Sequence, residues 1–465
     1  MRETNIHARV IKPKVLIKDN ESGNIKKTFA PSAGCKSLLN YTFQTGINDT
    51  KGSFSLTFYP DDENGNPIFD QISVMDIVEI HERIDPKDEN SKPDFIGVVK
   101  SRKYVSQVTG SGIQRKLSVS GISVIGLIAD YEINLDSKAC AITNQMSVTE
   151  EIRKKLSIQL IKENLTVKEV IDAVWEHFKH NANAFGCLAN PKIGEILEKF
   201  CGSIFQVEDG LNVHYYVGNL FNDSGCNNFY GIIDGVTPSP PYEKRIIMDD
   251  TGPKIAIREC PFGDSWQNLD DTIQTIDPTY VRAFDFTQSD SDVYTVFFSY
   301  VNGYPVQEDK ALKLNAIAQN KDGTLEIANK KMGIYGYKPL MVTFNGYGKE
   351  DGKQDTTTNE KLQKLNQKLM KWFGQLDEML TGSLTVITYK KTDSETKEVP
   401  KPGEKIKFLG GEWYIETARH TWNYGGSPET VLTISRGGDY SSGEFAPLKN
   451  ASTAYKLFEE GKKQE

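Results

Sequence analysis

The sequence has few of the features that mark a membrane, secreted or redox protein. Its 465 residues contain six cysteines and no Cys-x-x-Cys pair, which disfavours a disulfide framework and a paired thiolate metal site. No stretch approaches the roughly 20 apolar residues of a membrane-spanning helix. The start, Met1-Arg2-Glu3, is charged and lacks the apolar core of a signal peptide. We therefore expect reduced, mostly buried cysteines, no visible export signal and no membrane anchor.

The chain also lacks a surplus of basic residues. It has 55 Lys and Arg against 63 Asp and Glu, a formal net charge of -8. A protein that holds nucleic acid through its phosphates needs a basic footprint. Binding of nucleic acid is therefore disfavoured as the main function.

Complete catalytic signatures are missing as well. His177 and His180 lie three residues apart with Cys187 and Cys201 downstream, but the pair lacks the Glu of a zincin and a closely spaced second pair of ligands. The glycines and lysines of 346–353 do not have phosphate-loop spacing, and no nucleophile elbow is present. We expect no enzyme activity, no cofactor and no bound metal. An enzyme within residues 140–290 stays open as a third interpretation.

A pattern of four strand-like segments occurs twice, first over 52–121 and again over 382–437. In both copies apolar residues alternate with Ser or Thr, the two-residue period of a strand with one face in water. The first segments of the two copies read Gly52-Ser53-Phe54-Ser55-Leu56 and Gly382-Ser383-Leu384-Thr385-Val386. The same order of segments predicts an internal duplication.

Short strands that end at Gly, Pro and Asn-Gly turns are typical of small barrels or sandwiches. We predict a β-rich α+β fold with two related small β-barrel modules and an α/β insert between them. The first module is assigned to 1–135, the helical insert to 136–240, the second module with peripheral strands to 241–440, and a C-terminal tail to 441–465. Thr166-x-x-Glu169 is a capping box that begins a helix of the insert.

A long helix is predicted over 358–380, because apolar residues recur there at a spacing of three or four. Gly382 is expected to cap its C-terminus. The stripe consists of Leu362, Leu365, Leu369, Trp372, Leu376 and Met379.

The residues expected to form the structure or its interfaces come from the strands and this helix. They are Gly52, Phe54, Leu56, Phe95, Leu117, Leu369, Trp372, Gly382, Trp413, Tyr414 and Arg436. The aromatic side chains Trp413, Tyr414, Trp422 and Tyr424 allow a second interpretation, a platform that stacks on sugars. Packing between strands is the more common use of such residues.

Taken together, the repeated strands and the helical insert resemble the baseplate hub proteins of contractile phage tails, phage-tail-like bacteriocins and related injection systems (the late-control-D-like tail hub family). The resemblance covers roughly residues 35–135 and 290–440. The residues that carry it are 52–58, 76–80, 95–99 and 117–121 in the first half, and 402–406, 413–416, His420 and 432–437 in the second.

The resemblance implies a homotrimeric structural protein whose six modules join a sixfold tail tube to a threefold spike. Implied partners are the tail tube protein ring, the central spike protein, other baseplate proteins and, as a further candidate, the tape measure protein. DNA or cargo would only pass through the channel, whose wall we expect to be neutral to acidic. The implied location is the baseplate of a virion or tail-like particle assembled in the bacterial cytoplasm. The alternative is a β-rich adhesin or carbohydrate-binding protein.

Overall fold

The structure is a computed structural model. It describes residues 12–31, 35–83, 92–109, 112–130, 165–169, 171–172, 175, 192–209, 211–213, 233–235, 237–302, 316–317, 328–345, 356–387 and 400–448. The predicted His177, His180 and Cys187 lie outside these residues. No helix in the described ranges is long and apolar enough to span a membrane.

The first half of the chain is built from strands whose apolar and polar residues alternate, so that one face is buried. The strands are β1 (Lys12–Lys18), β2 (Ile25–Phe29), β3 (Leu38–Gly46), β4 (Asp49–Phe58), β5 (Ile77–Arg83), β6 (Phe95–Thr109) and β7 (Gly112–Ser123). They pair in the order β3-β4-β7-β6-β5-β1-β2, and every pair is antiparallel. We call β3 to β7 the first module.

The middle of the chain contains short strands and a helix, α1 (Lys192–Cys201). Its strands are β8 (Leu165–Thr166), β9 (Phe205–Val207), β10 (Asn212–Val213), β11 (Tyr242–Asp249), β12 (Gly252–Glu259) and β13 (Gln274–Thr275). The predicted capping box is present, because the Glu169 carboxylate accepts from the Thr166 N–H at 2.8 Å while the Glu169 N–H donates to the Thr166 hydroxyl at 3.2 Å. β12 pairs with both β11 and β9 in one sheet, which therefore takes strands from both sides of residue 240.

The second half contains the remaining elements. They are β14 (Val281–Thr287), β15 (Val296–Asn302), β16 (Ala316–Ile317), α2 (Ala328–Tyr335), β17 (Pro339–Asn345), α3 (Thr356–Phe373), β18 (Leu380–Ile387), β19 (Lys405–Phe408), β20 (Gly411–Asn423) and β21 (Glu429–Gly438). β15 lies between β16 and β17 in a small sheet, against which α3 packs. β14 and β18 to β21 pair in the order β14-β18-β21-β20-β19. We call these five strands the second module.

The two modules have the same strand order, which confirms that they are related. β14 takes the place of β3, and β18 to β21 take the places of β4 to β7. Two irregularities in the strand register also occur at equivalent places in both modules. The first lies between Leu38 and Asn40 in β3 and between Val281 and Ala283 in β14. The second lies between Val99 and Ser101 in β6 and between Ile415 and Thr417 in β20.

This register corrects the alignment made from sequence by two residues. Gly382 takes the place of Phe54 rather than that of Gly52. Phe54 pairs with Gly121 in the first module, while Gly382 pairs with Ile434 in the second. The large and small residues of this cross-strand pair have exchanged places. Because both arrangements fill the space between the strands, the repeat is conserved in shape more closely than in residue type.

A direct pairing of β20 with β3 joins the modules into one continuous sheet. Within the described residues the pairing follows an open path from β14 to β2, so neither module closes into the barrel that the sequence analysis predicts. Most buried apolar residues of the two modules lie on one face of the sheet. They form a first cluster around Leu56 and Val119 and a second around Leu384 and Leu432.

The long helix ends earlier than predicted. α3 covers Thr356–Phe373, a 3₁₀ turn follows at Leu376–Glu378, and β18 begins at Leu380. The Gly374 N–H still donates to the Met370 carbonyl, at 2.8 Å. Gly382 therefore caps no helix. A Cβ at this position would lie 1.9 Å from the Asp285 carbonyl oxygen, so a glycine is needed where β14 and β18 approach each other.

Candidate assembly interface

The joint between the modules is formed by residues 417–423 of β20 and 40–46 of β3, which run antiparallel. His420 stacks on Phe43 with ring centroids 4.4 Å apart, and Trp422 stacks on Tyr41 at 5.6 Å. Trp422 belongs to the second module but is buried in the core of the first. The two modules are therefore held together by shared core packing as well as by strand pairing.

Buried polar groups fix the register of this joint. The Tyr41 hydroxyl donates to Glu82 Oε1 at 2.7 Å, and the other oxygen of Glu82 lies 3.6 Å from His420 Nδ1. The Thr430 hydroxyl lies 3.1 Å from the same His420 nitrogen. Burial and the neighbouring Glu82 charge raise the pKa of Tyr41 well above its ordinary value, so this phenol stays protonated and keeps donating.

Two strand edges equivalent to those of the joint have no strand beside them in the described part of the chain. One is the edge of β6 beyond its short pairing with β5, and the other is the edge of β14 opposite β18. Tyr104 and Val108 on β6 are 47% and 85% exposed, which is unusual for large apolar side chains of a strand. Unpaired edges attract further strands.

The face of the sheet opposite the two cores is rich in hydroxyls. In the first module Thr42, Ser55, Ser120 and Ser101 lie side by side across β3, β4, β7 and β6. The equivalent residues of the second module are Asp285, Ser383, Thr433 and Thr417. We call this surface the hydroxyl face. Two exposed cations, Lys103 and Arg419, interrupt it at equivalent positions of the two modules.

Four of the predicted structural residues meet in the first core. Phe54, Leu56, Phe95 and Leu117 are all buried there. Gly52 lies at the edge of this core with a φ of +54°, a left-handed conformation that favours glycine.

Another group of predicted residues meets in a third core, beneath α3. Leu369, Trp372 and Tyr414 are buried together there, and Leu365 packs against them. The guanidinium carbon of Arg436 lies 3.3 Å from the centre of the Phe262 ring. Leu362 is in a part of α3 whose side chains are not described.

Arg436 ties α3 to the last strand of the second module. Its Nη1 donates to the Trp372 carbonyl at 2.6 Å, and burial lowers its pKa. Burial and the Glu243 charge raise the pKa of the nearby Tyr414 well above its ordinary value. The Tyr414 hydroxyl and Arg258 Nε each donate to the Glu243 carboxylate at 2.5 Å. These buried charges connect β11, β12 and β20.

The aromatic platform of the adhesin alternative is not exposed. Trp413, Tyr414 and Trp422 are buried in three different cores, and only Tyr424 of the four is substantially exposed. A Cβ at Gly437 would lie 2.1 Å from the Trp413 ring, which shows how closely this ring packs on the backbone. These residues follow the strand-packing interpretation.

The described residues contain no group of three His, Cys, Asp or Glu side chains that could hold a metal ion. Cys201, the described member of the predicted cluster, is buried on α1 beside apolar side chains, and burial raises its pKa. Its thiol is therefore held in the protonated form.

Sequence reasoning missed the central role of Tyr41, Phe43 and His420 in the joint. The available signal was the alternation of aromatic residues in two distant strands, Tyr41 and Phe43 in β3 and His420 and Trp422 in β20. Alternation predicts which face of a strand is buried but does not name the neighbouring strand.

No protein-family model and no curated protein matches the chain. Among solved structures it is similar to a tail protein from Neisseria meningitidis MC58, with 11% identity, a TM-score of 0.49, and coverage of 92% of this chain and 96% of that one. It is also similar to the 43 kDa tail protein of prophage MuSo2 from Shewanella oneidensis, with 13% identity and a TM-score of 0.49. That match covers 91% of this chain and 98% of the other. A third similar structure is a type VI secretion component of Escherichia coli, described as similar to the T4 tail proteins gp27 and gp5. Its identity is 10% and its TM-score 0.39, and the match covers 86% of this chain and 73% of the other.

These neighbours are tail and injection-system proteins.

Proposed function

We propose that this chain is the structural baseplate hub of a contractile tail or related injection particle, and that it works as a homotrimer. One observation carries the proposal. Two modules with the same strand order and two shared register irregularities are joined edge to edge in a single sheet. A ring built from such modules is pseudo-sixfold when three chains assemble.

The symmetry of the joint supports a ring. β20 of one module meets β3 of the other, so the contact is heterologous, and repetition of such a contact gives a closed ring or an open filament. Each chain supplies two successive modules, which makes the number of modules in a closed ring even. The number three comes from the hub resemblance.

Such a ring would present six similar edges to the tail tube and a threefold surface to the central spike. The proposed partners are the tail tube ring, the spike, other baseplate proteins and the tape measure protein. The proposed location is the baseplate of a virion or tail-like particle assembled in the bacterial cytoplasm.

We assign the protein no catalytic activity. The described tyrosines whose pKa burial raises well above the ordinary value, Tyr41 and Tyr414, are packed into the protein interior. The adhesin alternative is disfavoured because the aromatic side chains on which it depends are buried.

We propose that the hydroxyl face lines the channel of the ring. The opposite face already carries both cores. On the hydroxyl side, the cluster that includes α1 and β12 covers only Ile96 and Val98 at the start of β6, so the open part of this face begins at Ser101. An inward hydroxyl face places Lys103 and Arg419 of three chains in a ring of six cations. The proposal therefore departs from the neutral-to-acidic wall expected from composition.

Thiol labelling tests this orientation. In the assembled protein Ser55→Cys should react with a small maleimide but not with a polymer-linked maleimide too large for the channel. Val74→Cys, at an exposed position in the loop before β5, is the control and should react with both. Equal labelling of Ser55→Cys by both reagents would show that the hydroxyl face points outward.

Sedimentation of the purified chain tests the hub assignment. Three copies of the 52.1 kDa chain predict a particle of about 156 kDa. A monomer that persists at high protein concentration would contradict the proposal.

A further inference from the structure

The free edges of β6 and β14 are the two halves of a second joint. We propose that β14 of one copy pairs antiparallel with β6 of the next copy, in the register that β3 and β20 use within the chain. This inference rests on the proposed ring and identifies its subunit contact. Addition of a strand to an exposed sheet edge is a common mode of protein association.

The internal repeat determines which residues would meet. Because the register irregularities of β6 and β20 coincide, Tyr104 takes the place of His420 and Val105 that of Thr421. By the same reasoning for β3 and β14, Phe286 replaces Phe43, and Asp285 replaces Thr42. Since His420 pairs with Phe43 and Thr421 with Thr42, Tyr104 should pair with Phe286 and Val105 with Asp285.

Side chains on the two edges suit this arrangement. The exposed Tyr104 lies on the same side of β6 as His420 does on β20, the side that faces the cores. Phe284 and Phe286 on β14 are only half-buried. Stacking of Tyr104 on Phe286 would reproduce the contact of His420 with Phe43, whose ring centroids are 4.4 Å apart. Aromatic cross-strand pairs of this kind stabilise sheets.

Charge favours this partner over two like edges. The hairpin formed by the ends of β6 and β7, residues 101–116, has no acidic residue, and its Lys103, Arg115 and Lys116 are exposed. β14 carries Asp285 and also Arg282, which is paired with Glu429, and the turn that follows β14 contributes further exposed acids at 290 and 292. Opposite charges favour head-to-tail docking, while two basic hairpins repel each other.

The test is an engineered disulfide in the purified trimer. Val105→Cys with Asp285→Cys should cross-link copies on mild oxidation and give covalent dimers and trimers on a non-reducing gel. The matched control, Thr42→Cys with Thr421→Cys, occupies the equivalent pair within the chain, whose hydroxyl oxygens lie 3.4 Å apart. It should close without any increase in mass.

Two further variants and the wild-type chain complete the design. Tyr104→Cys with Phe286→Cys tests the neighbouring pair, because adjacent antiparallel pairs alternate between closer and wider side-chain spacing. Val105→Cys with Thr287→Cys is out of register, and its cross-linking should be at least about fivefold weaker because diagonal neighbours are roughly 7–8 Å apart. The wild-type chain measures the background from its six native cysteines.

Hydrogen exchange on the unmodified trimer provides a second measurement that needs no substitution. Amides in 101–107 and 283–287 should exchange slowly in the trimer and faster in dissociated chains. Rapid exchange at both edges of an intact trimer, or absence of both in-register cross-links while the control closes, would overturn the proposed contact and leave the hub assignment standing. A chain that never forms a trimer would instead refute the hub assignment.

Discussion

The joint between modules predicts a large effect for Trp422→Ala. Trp422 is 3% exposed and packs against Tyr41 in the core of the first module. Truncation of a buried aromatic residue costs about 3–5 kcal/mol. An aromatic side chain that buries ~150–250 Å² at ~25 cal/mol per Å² gives about 4–6 kcal/mol. We therefore expect the free energy of unfolding to fall by about 4 kcal/mol.

Urea denaturation followed by circular dichroism measures this loss, and hydrogen exchange locates it. The structure predicts faster exchange in β3 of the first module although the substitution is in the second. Tyr424→Ala, two residues further along the chain and just past the end of β20, replaces a 48% exposed side chain; it is the matched control and should cost under about 1 kcal/mol. A loss below about 1 kcal/mol for Trp422→Ala, or faster exchange only in the second module, would refute the shared core.

Two further substitutions test the packing of α3 and the acid stability of the first module. Leu369→Asp should lower the free energy of unfolding by more than about 4 kcal/mol, because it puts a carboxylate at a fully buried position. The control Gln367→Asp, on the exposed side of α3, should have little effect in the same urea titration. An unchanged melting temperature for Leu369→Asp would show that this side of α3 is exposed. Although burial raises the pKa of Glu63, hydrogen bonds including one from the Ser37 hydroxyl outweigh it and lower the pKa to about 2. The stability that Glu63 contributes is therefore present above its unfolded pKa and lost as the pH falls toward 2. Glu63→Gln should consequently make the free energy of unfolding fall less steeply with decreasing pH in the acid range. An unchanged acid range would contradict this assignment.

The sequence predicted the strands of both modules because alternation of apolar and hydroxyl residues is a local signal. Phe54 and Leu56, like Leu432 and Ile434, are buried as that period requires. The buried stripe of α3 was predicted for the same reason. These features depend on residues that are close together in the chain.

Features that depend on distant residues were missed or misplaced. Gly382 looked like a helix cap, but the approach of the Asp285 backbone is what requires it. The pairing of β20 with β3 brings together Thr42 and Thr421, which no local pattern connects. The two-residue error in aligning the repeats arose because Phe54 and Gly382 fill equivalent positions with very different volumes.

The central claim is that three chains form one ring of six modules. Electron-microscope averages of the purified assembly viewed down its axis test it most directly. We expect six similar lobes around an open channel, with threefold symmetry at the periphery where the inserts differ from one lobe to the next. A particle with fewer than six lobes, or one with no central opening, would contradict it.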